Sequence, residues 1–335
     1  MLNRIGNQHN LAISRRMRGL VYGALSWNAN VRGKPMTSSN GANNTRNAAR
    51  VGCVQWRMRH FSSVDEFLQQ VELQARALAS YKCDVALFPE FFSVPLTGLW
   101  PHLDTLEAMR ELAKLTPELV QKIARFASAH RINIVAGSMP LVENGKLFNV
   151  SCVCRRDGRV DVQYKLHPTP GEVADWQMQG GQALRTFDTD FGRIGILICY
   201  DVEFPELPRI LAEQGIDMLF VPFWTDSKAG YLRVRLCAQA RAIENECYVV
   251  LAGSVGCMPE IGCLDNQYAQ SAVFAPSDIG FPHDAIVAEA TANIETTLVA
   301  DLDLARLRHL RTAGSVRNGA DRRRDLYKIE WIGKK

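Results

Sequence analysis

The chain has 335 residues, 47% hydrophobic and 22% charged, with a formal net charge of +4. That composition describes a globular protein with ample core, and it excludes a low-complexity or collagenous chain. No apolar run approaches the roughly 18 residues of a membrane span, and nine cysteines without C-x-x-C or paired-histidine spacing speak against a metal centre.

The charge is uneven. Residues 1–64 hold ten Lys or Arg and no acid, which leaves the remainder at about −6. Residues 1–50, with Arg4, Arg15, Arg16, Arg18, Arg32, Lys34, Arg46 and Arg50, read as a basic leader. Arg-rich, Ser-containing and acid-free is the composition of an organellar transit peptide. The alternatives are a disordered extension or a start at Met17 or Met36. The odd, unpatterned cysteine count fits a reducing compartment. The expected location is therefore the cytoplasm, or a mitochondrial or other organelle matrix if the leader targets. A nucleic-acid partner would rest on the leader alone, and the acidic body argues against it.

The folded pattern begins at Val51, with a strand over 51–56. Residues 63–82 repeat Val64, Phe67, Leu68, Val71, Ala75 and Leu78 at helical spacing. A second buried strand covers 84–92 and ends in Pro89-Glu90 among Phe88, Phe91 and Phe92. A carboxyl there loses hydration, which raises its pKa towards general-base range; the plain alternative is an acid marking a strand end. A helical pattern runs over 104–130, with Pro117 as the one point where it could break. Residues 132–138 form a third strand. Residues 148–154 and 160–164 alternate about Asp157-Gly158, the signature of a hairpin. The second arm runs into Lys165-Leu166-His167-Pro168-Thr169-Pro170-Gly171-Glu172. A lysine there is ordinarily solvated and can hold an oxyanion only if the fold turns it inward. His167, before a proline in a loop, reads as structural.

The apolar run 195–198 ends at Cys199, and Pro205 opens a helix that Gly215 closes. Cys199 thus sits at a strand-to-helix turn, where helix-start N–H groups would lower the thiol pKa and make a nucleophile. The plain alternative is an inert core cysteine. Residues 217–225 are a strand ending in Phe223-Trp224. A helix follows over 230–246, with Leu232, Leu236, Ala240 and Ile243 on its apolar face and Arg233, Arg235, Arg241 and Glu244 in ion pairs or on solvated faces. Further strands lie at 248–254, 270–275 and 296–302. Strands alternating with helices and no internal linker argue one α/β domain over 51–310. Residues 311–335 form a basic tail that packs at the domain or dimer surface.

Glu90, Lys165 and Cys199, each ending a strand, stand in the order and at about the intervals of the nitrilase (carbon–nitrogen hydrolase) superfamily, which the chain resembles. Leu87-Phe88-Pro89-Glu90, Tyr164-Lys165-Leu166-His167 and the segment from Cys199 to Glu206 are similar to its glutamate, lysine and cysteine segments. Arg241-Ala242-Ile243-Glu244-Asn245 and the segment from Asp321 to Tyr327 also match recurrent pieces, so the resemblance spans about residues 51–327. It is strongest to a branch sometimes fused to an acetyltransferase, a second domain for which the expected boundaries leave no room. The resemblance implies an αββα sandwich, its sheets flanked by helices, that dimerises into a larger stacked sandwich. It implies Cys199 as nucleophile, Glu90 as general base and acid, Lys165 as oxyanion stabiliser and Glu172 as a second glutamate.

The expected reaction is hydrolysis of a small linear amide through a thioester, without cofactor or metal. Nitrile and N-carbamoyl substrates use the same triad. Tyr200, Phe91 and Trp224 are the expected substrate contacts, Tyr200 through its backbone N–H. A catalytically silent interaction protein on this fold is the dissimilar alternative, and the intact triad opposes it.

Overall fold

The computed structural model describes residues 46–262 and 266–334. Of the leader expected over residues 1–50, residues 1–45 lie outside the described residues. Strand β1 spans Ala48–Arg57 and so starts ahead of the break expected at Val51. Two arginines counted with the leader belong to the fold. Arg46 donates to Asp84 Oδ2 at 2.9 Å, and Arg50 donates to Asp301 Oδ1 at 2.6 Å and to Tyr81 O at 2.9 Å.

Helix α1 follows over Val64–Ser80 and buries Phe67, Leu68, Val71, Ala75 and Leu78, the predicted stripe; Ser63 caps it by accepting from Glu66 N–H. Strand β2 is Val85–Leu87. Helix α2 runs unbroken over Thr105–Ala129 despite Pro117. Proline inside a helix costs about 3 kcal/mol, yet the apolar face continues on both sides of it through Leu112, Ala113, Leu119, Val120 and Ile123. That continuous burial overrides the break. Strands β3 (Asn133–Val135), β4 (Met139–Glu143), β5 (Lys146–Cys154) and β6 (Val160–Tyr164) follow, with β5 and β6 paired antiparallel as the expected hairpin. Gly158 takes φ +88° in its turn.

Helix α3 (Pro170–Trp176) occupies what the sequence reads as a Pro-rich loop. Strands β7 (Met178–Gln179), β8 (Thr186–Thr189) and β9 (Gly192–Ile196), helix α4 (Glu206–Glu213), strand β10 (Met218–Phe223), helix α5 (Lys228–Asn245) and strand β11 (Tyr248–Val255) come next. Strands β12 (Ala272–Phe274), β13 (Ile286–Glu289) and β14 (Thr296–Asp303) precede helix α6 (Leu304–Ala313).

The described strands form a curled network of two half-sheets. One holds β14, β1, β2, β3, β5, β4, β6 and β7; the other runs β8, β9, β10, β11, β12, β13. They join only where the end of β1 pairs with β11, through Trp56 with Ser254 and Arg57 with Val255. Their inner faces meet: Val51, Cys53, Leu87 and Val153 pack in one core with Ile194, Ile196, Leu219 and Leu251. Helices α1 and α2 cover the first half-sheet, and α5 covers the second. This is the expected αββα sandwich.

Helix α5 faces the other way from expectation. It buries Tyr231, Val234, Ala238, Arg241, Ala242 and Asn245, while Leu232, Leu236 and Ile243 are exposed. The helix carries two apolar stripes, both at legitimate spacing, and the narrower residues of Val234, Ala238 and Ala242 pack against the sheet. The tail is anchored too. Arg311, in the last turn of α6, donates to Ile216 O at 2.6 Å and Glu246 O at 3.0 Å, and Ile329 and Trp331 pack against the core.

Candidate active site

Strands β3, β2, β1, β11, β10 and β9 are successively parallel. β5 is antiparallel to β3 and β6 is antiparallel to β5, so β6 points the same way. The C-terminal ends of β2, β6, β9 and β10 therefore open at one end of the sandwich, the edge where parallel sheets hold their ligands. Glu90, Lys165, Cys199 and Trp224 each stand just beyond one of these ends.

Glu90 is buried. Phe88 N–H donates to Val135 O at 3.0 Å and Phe91 N–H to Ser138 Oγ at 3.3 Å, so the strand end is held on both sides of the carboxylate. Gly137 makes this possible. It has φ +44°, and a Cβ there would lie 1.8 Å from Pro89 O. Phe88 and Phe92 pack with Trp56 in an aromatic cluster, at centroid distances of 5.9 Å each. Burial lifts the Glu90 carboxyl to about 7, with Lys165 pulling it down and Glu172 pushing it up.

Lys165 is turned inward, 1% exposed. Its Nζ donates to Glu90 Oε1 at 2.8 Å and to Glu172 Oε2 at 2.6 Å. Burial alone would lower the ammonium pKa, but the two carboxylates outweigh it and the net shift is upward. Lys165 therefore stays a cation.

Glu172 reaches the site because α3 begins with a capping box. Thr169 Oγ1 accepts from Glu172 N–H at 3.2 Å and Glu172 Oε2 accepts from Thr169 N–H at 2.7 Å. The signal was in the sequence, as Thr169-Pro170-Gly171-Glu172 has the spacing of such a box with Pro at the first helical position.

Cys199 opens a 3-10 turn over Cys199–Glu203, with φ +50°. Phe91, beside Glu90, has φ +51°. Left-handed non-glycine residues cost on the order of 1–3 kcal/mol and persist where surrounding structure holds them; here both flank the thiol–carboxylate pair. The first bond of the turn runs from Asp201 N–H to Ile198 O, so the N–H groups of Cys199 and Tyr200 precede it. The expectation of a thiol activated by a helix start is corrected. Helix α4 begins only at Glu206. Burial and the adjoining Glu90 hold the Cys199 thiol well above its ordinary value, against the pull of Lys165. A neutral thiol beside a carboxyl lifted to about 7 needs that carboxyl to take its proton.

Asp201 ties the cysteine segment to the lysine segment. Its Oδ1 accepts from His167 N–H at 2.8 Å and its Oδ2 from Leu166 N–H at 3.1 Å and Ile198 N–H at 3.4 Å. His167 pairs with Asp201 through Nδ1 at 2.9 Å and stacks on Phe204 at 3.8 Å. Arg241, expected on a solvated face or in an ion pair, is buried. It donates to Val202 O at 3.0 Å and Glu203 O at 3.1 Å, fixing the turn from beneath, and also pairs with Glu244.

The family model for carbon-nitrogen hydrolases matches residues 50–312. The chain belongs to the carbon–nitrogen hydrolase family. It is 43% identical to the probable hydrolase YhcX of Bacillus subtilis over 84% of its own length, and spans only 55% of that relative. It is 30% identical to the omega-amidase NIT2-A of Xenopus laevis, covering 73% of this chain and 85% of the other. Among solved structures it is similar in fold to Saccharomyces cerevisiae Nit3, a nitrilase-superfamily member, with a TM-score of 0.70 and 23% identity over 84% of this chain and 98% of that one. An amidase from Nesterenkonia sp. AN1, in a mutant form with covalent addition of the acetamide moiety of fluoroacetamide at its active-site cysteine, gives 0.66 and 20% over 84% and 95%.

Of the expected substrate contacts of this family member, Phe91 and Trp224 meet at 5.6 Å, and Trp224 O lies 3.6 Å from Cys199 Sγ. The Tyr200 ring packs on Phe204, 4.9 Å between centroids. Sequence reasoning missed Trp176. Four residues after Glu172, it lies on the same face of α3 and completes an aromatic wall, 5.6 Å from Phe91 and 6.0 Å from Trp224. It also missed Asn149, whose Nδ2 donates to Glu90 Oε1 at 2.9 Å and Glu172 Oε1 at 3.1 Å. The available signal was a polar residue in an otherwise buried run of β5. Among the described residues, no group of three His, Cys, Asp or Glu is placed to hold a metal ion, and no helix is long and apolar enough to cross a membrane.

Proposed function

We propose that the protein is a thiol amidohydrolase that cleaves the C–N bond of a small linear amide. The observation that carries this reading is the buried hydrogen bond of Lys165 Nζ to Glu90, with the Cys199 thiol adjoining that carboxyl. Glu90, as carboxylate, takes the Cys199 proton while sulfur attacks the amide carbonyl. Lys165 Nζ and the Tyr200 N–H hold the oxyanion, and one such donor is worth about 3 kcal/mol in the barrier. Glu90 returns the proton to the departing nitrogen, and the C–N bond breaks to leave a thioester. Glu90 then deprotonates water, which attacks the thioester; the acid leaves and the proton returns to sulfur. Glu172 orients Lys165. Phe91, Trp176 and Trp224 form the apolar wall against the acyl chain. The omega-amidase relative supports an amide over a nitrile or a carbamoyl group. The proposal includes a homodimer, for which the outward Leu232, Leu236 and Ile243 of α5 supply an apolar face.

The test is ammonia release from a panel of short aliphatic amides, nitriles and N-carbamoyl compounds, by wild type and by Cys199→Ala. Amide turnover that disappears in the variant, with the circular dichroism spectrum unchanged, is the expected result. Retained turnover in Cys199→Ala removes the mechanism. Turnover of only nitriles or carbamoyl compounds replaces the substrate class.

A further inference from the structure

We infer that Asn149 is a positioning residue whose carboxamide holds Glu90 in its ionised form and so sets the pH at which Cys199 becomes reactive. This rests on the reading of Glu90 as the base. Asn149 lies in β5, 1% exposed, beneath the carboxylates. Its two N–H bonds go one to Glu90 Oε1 and one to Glu172 Oε1, and its backbone O accepts from Lys165 N–H at 2.9 Å. One residue thus touches the base, the second glutamate and the lysine strand.

Its own acceptor, Oδ1, is buried without a partner among the described residues. A buried orphan of this kind is uncommon and calls for a reason. The reason lies on the other end of the amide. With two carboxylates on one side, only the NH2 group can face them, and Oδ1 must face away. A side chain placed for packing alone would be a leucine of similar size, with no orphan.

The groups facing Glu90 come from four elements. Lys165, at the end of β6, favours the anion. Glu172, from α3, opposes it. Cys199, from the 3-10 turn, adjoins it. Asn149, from β5, is the remaining donor. Glu90 Oε1 accepts from Asn149 and Lys165 together. Hydrogen bonds to the charged form favour that form, so Asn149 works with Lys165 against burial and Glu172. The carboxyl near 7 balances burial, Lys165, Glu172 and Cys199, and Asn149 donates to the same Glu90 oxygen as Lys165.

The experiment needs no substrate. Iodoacetamide labelling of Cys199 is followed against pH by peptide mass spectrometry in the full chain, in wild type, Glu90→Gln, Asn149→Ala and the isosteric Asn149→Asp. Losing a hydrogen bond to a charged group should move the labelling midpoint of Asn149→Ala up by roughly one pH unit, with most of the plateau recovered at high pH. Asn149→Asp, which swaps donors for a third carboxylate, should move it further. Melting temperatures identify a variant that fails to fold, and the other then decides. A wild-type midpoint in either folded variant, with labelling slower at every pH, makes Asn149 merely structural and overturns the inference. A wild-type profile in Glu90→Gln overturns the assignment of the base itself, and the inference with it.

Discussion

Replacing Glu172 by Gln should shift the reactivity of Cys199 in the opposite direction. Glu172 raises the Glu90 pKa, since a like charge disfavours ionisation. One ammonium reaches both carboxylates, at 2.8 and 2.6 Å. That places them on the order of 4 Å apart, where like unit charges at an effective dielectric of 20 repel by roughly 4 kcal/mol. Lys165 and Asn149 neutralise much of this, so the expected fall in the Glu90 midpoint is about one to two pH units. The sign follows directly. Without Glu172 the carboxylate of Glu90 persists to lower pH, and the thiol stays activated there. Glutamine is accepted at this position of a capping box, so α3 should survive. Labelling of Cys199 against pH, with the unfolding temperature as control, reads the midpoint whatever happens to turnover. A midpoint that stays at the wild-type value, or rises, would mean that the two carboxylates are not electrostatically coupled, and the reasoning would be wrong.

Asp201→Ala removes the acceptor of three backbone N–H groups and leaves them near a buried turn. Unfolding in urea should report a loss of about 2–4 kcal/mol, together with a fall in kcat because the lysine and cysteine segments are no longer tied. Gly137→Ala places a methyl 1.8 Å from Pro89 O at a left-handed φ. It should cost more than about 2 kcal/mol, and displacement of the Glu90 loop should slow Cys199 labelling at pH 7. Wild-type stability in Gly137→Ala would show that the loop adapts freely.

Local pattern made much of the fold legible. The spacing of Phe67, Leu68, Val71, Ala75 and Leu78 gave the buried face of α1 correctly, because that helix has a single apolar stripe. Asp157-Gly158 gave the hairpin of β5 and β6, because a turn with a positive φ is a local requirement. The same reasoning misassigned α5, where two stripes compete and only the sheet beneath selects between them. It left a break in α2 open at Pro117, where long-range burial overrides a local penalty. It treated residues 168–172 as loop, although a capping box was written there.

For the site, the sequence by itself singled out Glu90, Lys165 and Cys199 as candidates and placed each at the end of a strand. Strand ends are readable because apolar runs stop at them. What the tertiary structure decided is that these ends coincide. Parallel register across β3, β2, β1, β11, β10 and β9, with β6 returned to the same direction by the hairpin, brings Glu90, Lys165 and Cys199, spread over more than a hundred residues of chain, to one end of the sandwich. Burial of that cluster is also a tertiary property. It reverses the expected depression of the Cys199 thiol pKa and places Glu90 near neutrality, since desolvation depends on what surrounds a group and not on its neighbours in the chain.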